Sequence, residues 1–445
     1  MYLKKLFCFV PVFCLFFFIA TISHAGSINL NIQKTVLDNG LTILTCEDHT
    51  VPTVSYQTFI NAGSRDEVKP GITGLAHVFE HMMFRGTEKY PDYDQAIGNF
   101  GPETNAWTSE DGTVYFVNVK SEYLEKVIDV EADRIRNLRF DDQTFRTELG
   151  PVKEERRMGE VEDPDGFLWS EFTQIAYQVH PYHHPVGGYE EDLEKNIQVK
   201  DGLEFKNTFY SPGYATIVVA GNFNTPQVIG WIKNYYGDWQ KQPPPDITVP
   251  AEPEQKVERT KQFTWKDSLT TSKLIIGYHG PKFDILSDDF CALKLIGEIL
   301  FLKSGRLTKL LNTDMQLVDE ISGEMQEHKD PGLFTVFASL KKGTTVAEVE
   351  SLVFREIDKL RKDKVGEEEL TKAKNSVKAN MFYRLNRPFS VAATIGHYQV
   401  VGGDYRLLFQ AEDRFDAITP EMIQKAAEKI FIPTNCTVVC LVPKG

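Results

Sequence analysis

Ser211-Pro212-Gly213-Tyr214-Ala215-Thr216-Ile217-Val218-Val219-Ala220 is echoed near the far end of the chain by Ile432-Pro433-Thr434-Asn435-Cys436-Thr437-Val438-Val439-Cys440-Leu441. Pro, Thr and the Val pair superpose at one offset, 221 residues from Pro212 to Pro433. Each copy reads as a proline turn running into a strand of β-branched residues. Midway lies Gln240–Gln255, QKQPPPDITVPAEPEQ, with five Pro and no helical or strand period. Such a stretch is an extended linker. A repeat offset near half the chain, with a linker between the copies, indicates one fold used twice. The expected layout is residues 26–239, the linker 240–255, and residues 256–445.

Each half mixes the two periodicities. Asp38-Asn39-Gly40 signals a hairpin turn before a strand at 41–46. Further strands are expected at 54–60 and 113–119. Residues 51–65 and 270–279 are comparable strand regions, each preceding a helix. Helical patterns cover about 74–84, 123–138, 145–160, 346–362 and 367–383. The fold class is therefore α+β, two homologous α/β sandwich domains joined by the Pro-rich linker.

The first 25 residues stand apart. Lys4 and Lys5 precede an apolar run from Leu6 to Ile22, and Ser23-His24-Ala25 offers small residues for cleavage. This is the layout of a secretory signal peptide cut after Ala25. It implies a protein secreted across a membrane, periplasmic if the source is bacterial, with no stable membrane insertion afterwards. Removing Lys4 and Lys5 leaves 63 acidic residues against 47 basic ones. That balance argues against nucleic acid as a partner. Cys46, Cys291, Cys436 and Cys440 are too few and too scattered for a disulfide framework and read as buried thiols.

The chemistry sits in Gly74-Leu75-Ala76-His77-Val78-Phe79-Glu80-His81-Met82-Met83-Phe84. On a helix, His77 and His81 project from one face, one turn apart, spaced to share a zinc ion. Glu80 shares that face, where a carboxylate can take a proton from water. Leu75, Val78, Phe79 and Met82 form the buried side. His-x-x-Glu-His inverts the order of the commoner zinc-protease helix. A hydrolytic zinc site needs a third protein ligand. Residues 148–160 form the richest acidic helix downstream, and spacing alone leaves Glu148, Glu154, Glu155 and Glu160 open.

Several segments together resemble the pitrilysin/insulinase family of inverted-motif zinc metallopeptidases, most closely its two-domain type, similar to mitochondrial processing peptidase and bacterial homologues. They are Met82-Met83-Phe84-Arg85-Gly86-Thr87 after the motif, Gly101-Pro102-Glu103-Thr104-Asn105-Ala106-Trp107-Thr108, Val152 to Met158, His180-Pro181-Tyr182 with 187–193, and Tyr210-Ser211-Pro212. The resemblance spans 37–445, more weakly in the second half. It implies His77, His81 and Glu155 as ligands of one Zn2+ and Glu80 as general base. Glu148 then matches a carboxylate that supports a ligand from behind. Asn105 and Ala106 match the edge strand on which a peptide substrate is laid by strand addition.

One departure matters. Single-chain relatives carry an Arg and a Tyr seven apart in the second half, holding the substrate backbone and the developing oxyanion. Here those positions fall on Asn312 and Asp319. Neither supplies the cation or the phenol. The chain thus reads as the metal-bearing subunit of a secreted two-chain endopeptidase, acting on unfolded or short polypeptides, with a homologous partner bringing the Arg/Tyr pair. The alternative is a non-catalytic assembly or binding subunit, which would need neither the intact motif nor Glu155. His180, His183 and His184, in a proline-flanked loop, are expected in surface or packing roles. Asp111-Gly112 reads as a turn.

Overall fold

The computed structural model describes residues 28–243, 245–266 and 269–444. The expected signal peptide lies outside them. The first half runs β1 (Ile32–Val36), β2 (Thr42–Glu47), β3 (Thr53–Ile60), α1 (Leu75–Met82), α2 (Tyr93–Gly98), β4 (Glu103–Thr108), β5 (Thr113–Lys120), α3 (Leu124–Asn137), α4 (Asp142–Arg156), α5 (Pro164–Ala176), α6 (Val199–Phe209), β6 (Ala215–Gly221) and α7 (Thr225–Tyr236). The second runs β7 (Arg259–Thr264), β8 (Lys273–His279), α8 (Asp288–Phe301), β9 (Val318–Met325), β10 (Leu333–Leu340), α9 (Val346–Lys362), α10 (Glu367–Tyr383), α11 (Pro388–Val400), α12 (Ala411–Ala417), α13 (Pro420–Ile430) and β11 (Cys436–Val442).

The two sheets have the same plan. The first has strand order β1-β2-β6-β3-β5-β4, the second β7-β11-β8-β10-β9. The repeated segments become β6 and β11. Each is parallel to one neighbour, β2 or β7, and antiparallel to the other, β3 or β8. β1 is the one addition, folded onto β2 through the expected turn, where Gly40 takes a φ of +94°. β4 and β9 end their sheets, with no further strand paired to their outer edges among the described residues.

The strands do not alternate between buried and exposed as half-covered strands would. β3 reads exposed only at Thr53, which means both faces are covered. On one face, Ile43, Val54, Tyr56 and Ile60 pack with residues of α1, α3, α4, α6 and α7. On the other face lies α11, from the second half: Val391, Ala392 and Ile395 pack on Leu44, Cys46, Phe59, Val114, Val218 and Ala220. The favour is returned. Leu168, Phe172 and Ala176 of α5 cover Ile275, Val439 and Leu441 of the second sheet. The approach is close enough to require a glycine at each contact, on the strand under α5 and within α11 itself. A Cβ on Gly277 would lie 2.3 Å from the Phe172 ring, and one on Gly396 2.0 Å from the Phe59 ring. Each half therefore completes its sandwich with a helix from the other.

The linker is also tied down. The Glu252 carboxylate accepts from the backbone N–H groups of Gln178, Val179 and His180 at 2.8–3.0 Å. The four cysteines are buried free thiols. Among the described residues no helix is long and apolar enough to cross a membrane.

Candidate metal centre

Helix α1 owes its position to two buried acids. Glu67 accepts from the backbone N–H groups of Gly74 (2.8 Å) and Ala76 (2.6 Å), taking up donors left unpaired at the helix start, while burial raises its carboxyl well above the ordinary value and these bonds oppose that only in part. Asp192 holds the Thr73 hydroxyl at 2.6 Å just before it. Gly74 has a φ of +90°, and a Cβ there would lie 2.8 Å from the Gly187 carbonyl oxygen. Leu75, Ala76, Val78, Phe79 and Met82 are buried. His77, Glu80 and His81 are left on the half-buried face. Helix α4 packs beside α1. It starts at Asp142, earlier than its apolar pattern suggests, because Asp141 caps the Thr144 N–H at 2.8 Å. Glu148 is buried and Glu155, two turns on, is exposed.

These two helices bring the donors together. Glu155 Oε2 lies 3.4 Å from His77 Nε2 and 3.2 Å from His81 Nε2. The ligand atoms of the three residues fall within 4.8 Å of one another. Donors sharing a tetrahedral zinc at 2.0–2.1 Å would stand about 3.3 Å apart, so the donor set and its spacing fit that ion. Burial, with His81 adjacent, pushes the His77 imidazole down to about 4, which keeps its nitrogens neutral and available at neutral pH. Behind His81, Glu148 Oε2 lies 3.9 Å from Nδ1, and Arg85 pairs with the same carboxylate. Glu154 turns away to Arg157, and Glu160 faces Arg156.

Glu80 stands beside the cluster without joining it. Its Oε2 accepts from the Thr108 hydroxyl at 2.6 Å. Burial raises the Glu80 carboxyl above its ordinary value, partly opposed by that hydrogen bond. Thr108 ends β4, the free edge of the first sheet. Asn105 and Ala106 lie on the same strand. Ser109 N–H donates to Gly112 O at the adjoining turn, so alternation leaves the backbone groups of Thr104, Ala106 and Thr108 facing the open edge. Asn105 Oδ1 accepts the Ala106 N–H at 2.9 Å.

Asn312 and Asp319 are far from serving as a cation and a phenol. The Asn312 amide donates to the carbonyls of Val318 (3.1 Å) and Asp319 (2.9 Å), stapling its own turn to the start of β9. Asp319 is exposed. His180 and His184 are buried, in packing rather than surface roles. His180 Nε2 lies 3.0 Å from Asp330, and burial pushes His184 down to about 4. Asp111 does sit in a turn, but it is buried and multiply bonded, which nothing in its local sequence signals. Thr108 and Arg85 were likewise without a role until the fold placed them against Glu80 and Glu148.

A two-domain α+β scaffold with two imidazoles and a carboxylate converging beside a free strand edge defines a metallopeptidase-type architecture. Comparison with known proteins agrees. The family model for insulinase (peptidase family M16) matches residues 42–188, and that for the peptidase M16 inactive domain matches 196–377. The chain belongs to the M16, or pitrilysin/insulinase, family. It is 27% identical over 426 residues to the zinc protease PqqE of Helicobacter pylori, covering 94% of this chain and 95% of that one. It is 23% identical over 423 residues to a probable mitochondrial-processing peptidase subunit beta of Arabidopsis thaliana, covering 92% of this chain and 78% of that one. Among solved structures, a protease from Helicobacter pylori superposes with a TM-score of 0.87 at 27% identity, covering 93% of this chain and all of that one.

Proposed function

We propose that this chain is a zinc-dependent endopeptidase of unfolded or short polypeptides, and the metal-bearing subunit of a two-chain enzyme working outside the cytoplasm. The observation that carries the reading is the convergence of His77, His81 and Glu155 with Glu80 alongside. His77, His81 and Glu155 would hold one zinc ion. When bound, zinc supplies a Lewis acid that acidifies water and polarises a carbonyl. Glu80 takes the proton of the attacking water and can return it to the leaving amine. Thr108 keeps the receiving oxygen of Glu80 in place. The open edge of β4 orders an extended peptide by strand addition, with Ala106 N–H exchanging its bond to Asn105 for one to the substrate. Glu148 steadies His81.

Residues Lys4 to Ala25 support export, and a periplasmic home in a bacterium. The occupied Asn312 supports the need for a second chain. Losing an oxyanion donor costs about 2.7–4 kcal/mol in other hydrolases. The relative named as a subunit beta fits the same arrangement. The test is to titrate the zinc-loaded chain with a homologous protein that carries the Arg/Tyr pair, following cleavage of an unstructured peptide. Activity should saturate near one partner per chain and vanish when the partner's Arg is removed. Full activity of this chain alone, unchanged by the partner, would overturn the two-chain reading.

A further inference from the structure

The turn that follows Thr108 is held by both halves of the molecule. From the first half, the N–H groups of Ser64 and Arg65 donate to the carbonyls of Ser109 (3.2 Å) and Glu110 (2.9 Å). A Cβ on Gly63 would lie 2.3–2.4 Å from those two carbonyl oxygens, so the backbones are in direct contact there. From the second half comes the β9–β10 loop. His328 Nδ1 (3.1 Å) and the Lys329 N–H (3.0 Å) both donate to Asp111 Oδ2, while the Tyr182 hydroxyl donates to Oδ1 at 2.7 Å. The Lys329 ammonium reaches the Asp111 carbonyl and the Asn61 side chain. Arg65 and His180 close the ring on Asp330 Oδ2. His328 is fixed from behind, its carbonyl accepting the Phe283 N–H at 2.8 Å.

Burying this much charge is a poor way to gain stability, because desolvation offsets most of the attraction. It is a good way to specify one geometry, since each donor and acceptor has a single satisfied arrangement. The geometry it specifies is that of a turn one residue beyond Thr108, whose hydroxyl fixes Glu80. From this juxtaposition we infer that His328 and Lys329 are positioning residues: the second half clasps the β4–β5 turn through Asp111 and so sets the Thr108–Glu80 contact of the first. The inference rests on the peptidase reading for its consequence, though not for its geometry. It gives the half that carries no metal ligand a part in catalysis within its own chain.

Two readouts test it on the full-length mature protein, zinc-loaded and with its partner. Hydrogen exchange of the segment 103–113 should quicken at least about tenfold in His328→Ala, with α1 and α4 unchanged, and return towards wild type in His328→Asn, which keeps a donor nitrogen. In the second, kcat should fall about tenfold in His328→Ala with KM and zinc content little changed. That loss should be absent when His328→Ala is added to Thr108→Val, since residues acting through one contact are not additive. Unchanged exchange at 103–113, or a loss that is fully additive with Thr108→Val, would overturn the inference. An inactive wild-type complex that still shows the exchange response would count against the peptidase reading and not against the clasp.

Discussion

The Thr108 hydroxyl donates a 2.6 Å hydrogen bond to Glu80 across the gap between an edge strand and the helix that carries both histidines. A carboxylate that must take a proton from water on one oxygen is thereby prevented from rotating away. Thr108→Val keeps the shape and removes the donor. Hydrogen bonds to charged groups are worth about 1.5–3 kcal/mol, so kcat should fall by roughly ten- to a hundredfold. Thr108→Ser should recover most of it, and zinc content should not move. Steady-state kinetics with elemental analysis on the same samples checks this.

Metal binding should separate Glu155 from Glu148. Wild type should carry about one zinc per chain, as a site with three protein ligands does, and Glu155→Gln should lose most of it. Glu148→Gln leaves the three donors in place but removes the carboxylate behind His81. Affinity should drop about ten- to a hundredfold, as for other partners of metal-bound histidines. Competition with a chelator measures both. Full, tight zinc in Glu155→Gln would remove that residue from the ligand set.

Much of this centre was legible in the sequence because helix geometry alone fixes the relation of His77, Glu80 and His81. The third donor was not legible from spacing, since Glu148, Glu154, Glu155 and Glu160 have equivalent chemistry; the family resemblance pointed to Glu155, and the packing of α4 on α1 is what brings that carboxylate to the histidines. The repeat of Ser211–Ala220 in Ile432–Leu441 announced two like sheets. Nothing in it announced the exchange of α5 and α11. A helix's apolar face states that it must be covered, not which sheet will cover it. Likewise Asp111 reads as an ordinary turn residue, and its partners His328 and Lys329 lie more than two hundred residues away.

The exchanged helices should make the two halves unfold as one unit. Phe172→Ala empties a buried site between α5 and the second sheet and should cost about 3–5 kcal/mol. Gly277→Ala should also destabilise, because its methyl group would meet the Phe172 ring. In urea, fluorescence and circular dichroism should give a single coincident transition for wild type. Two separated transitions would show that the halves are independent despite the exchange.

The clasp has a signature in pH. Burial opposes charge on His328, but its bond to Asp111, with Glu110 and Glu327 nearby, holds it above its ordinary value of 6.5. Asp111 is held below its ordinary value of 3.8; burial works against this, and His328, Lys329 and Tyr182 outweigh it. A raised histidine binds its proton more tightly in the folded chain. Its contribution is therefore complete below 6.5 and is lost as pH rises through the higher folded value. The Asp111 contribution is complete above 3.8 and is lost as pH falls through its lower folded value. The gap in thermal midpoint between wild type and His328→Asn should thus narrow as pH rises from about 6 to about 9. A gap that widens over that range would contradict the assigned charges.

The most direct measurement compares wild type with Glu80→Gln, each loaded with zinc and combined with the partner, for metal content and peptide cleavage in the same preparation. Glu80 touches Thr108 and not the ligand cluster, so Glu80→Gln should hold as much zinc as wild type. With its base gone, turnover should fall by at least about a hundredfold, the lower end of what a positioned general base contributes. Full zinc with lost cleavage would establish that Glu80 is not needed to hold the metal and is the group that moves the proton. Cleavage near the wild-type rate by Glu80→Gln, still abolished by a chelator, would contradict that assignment.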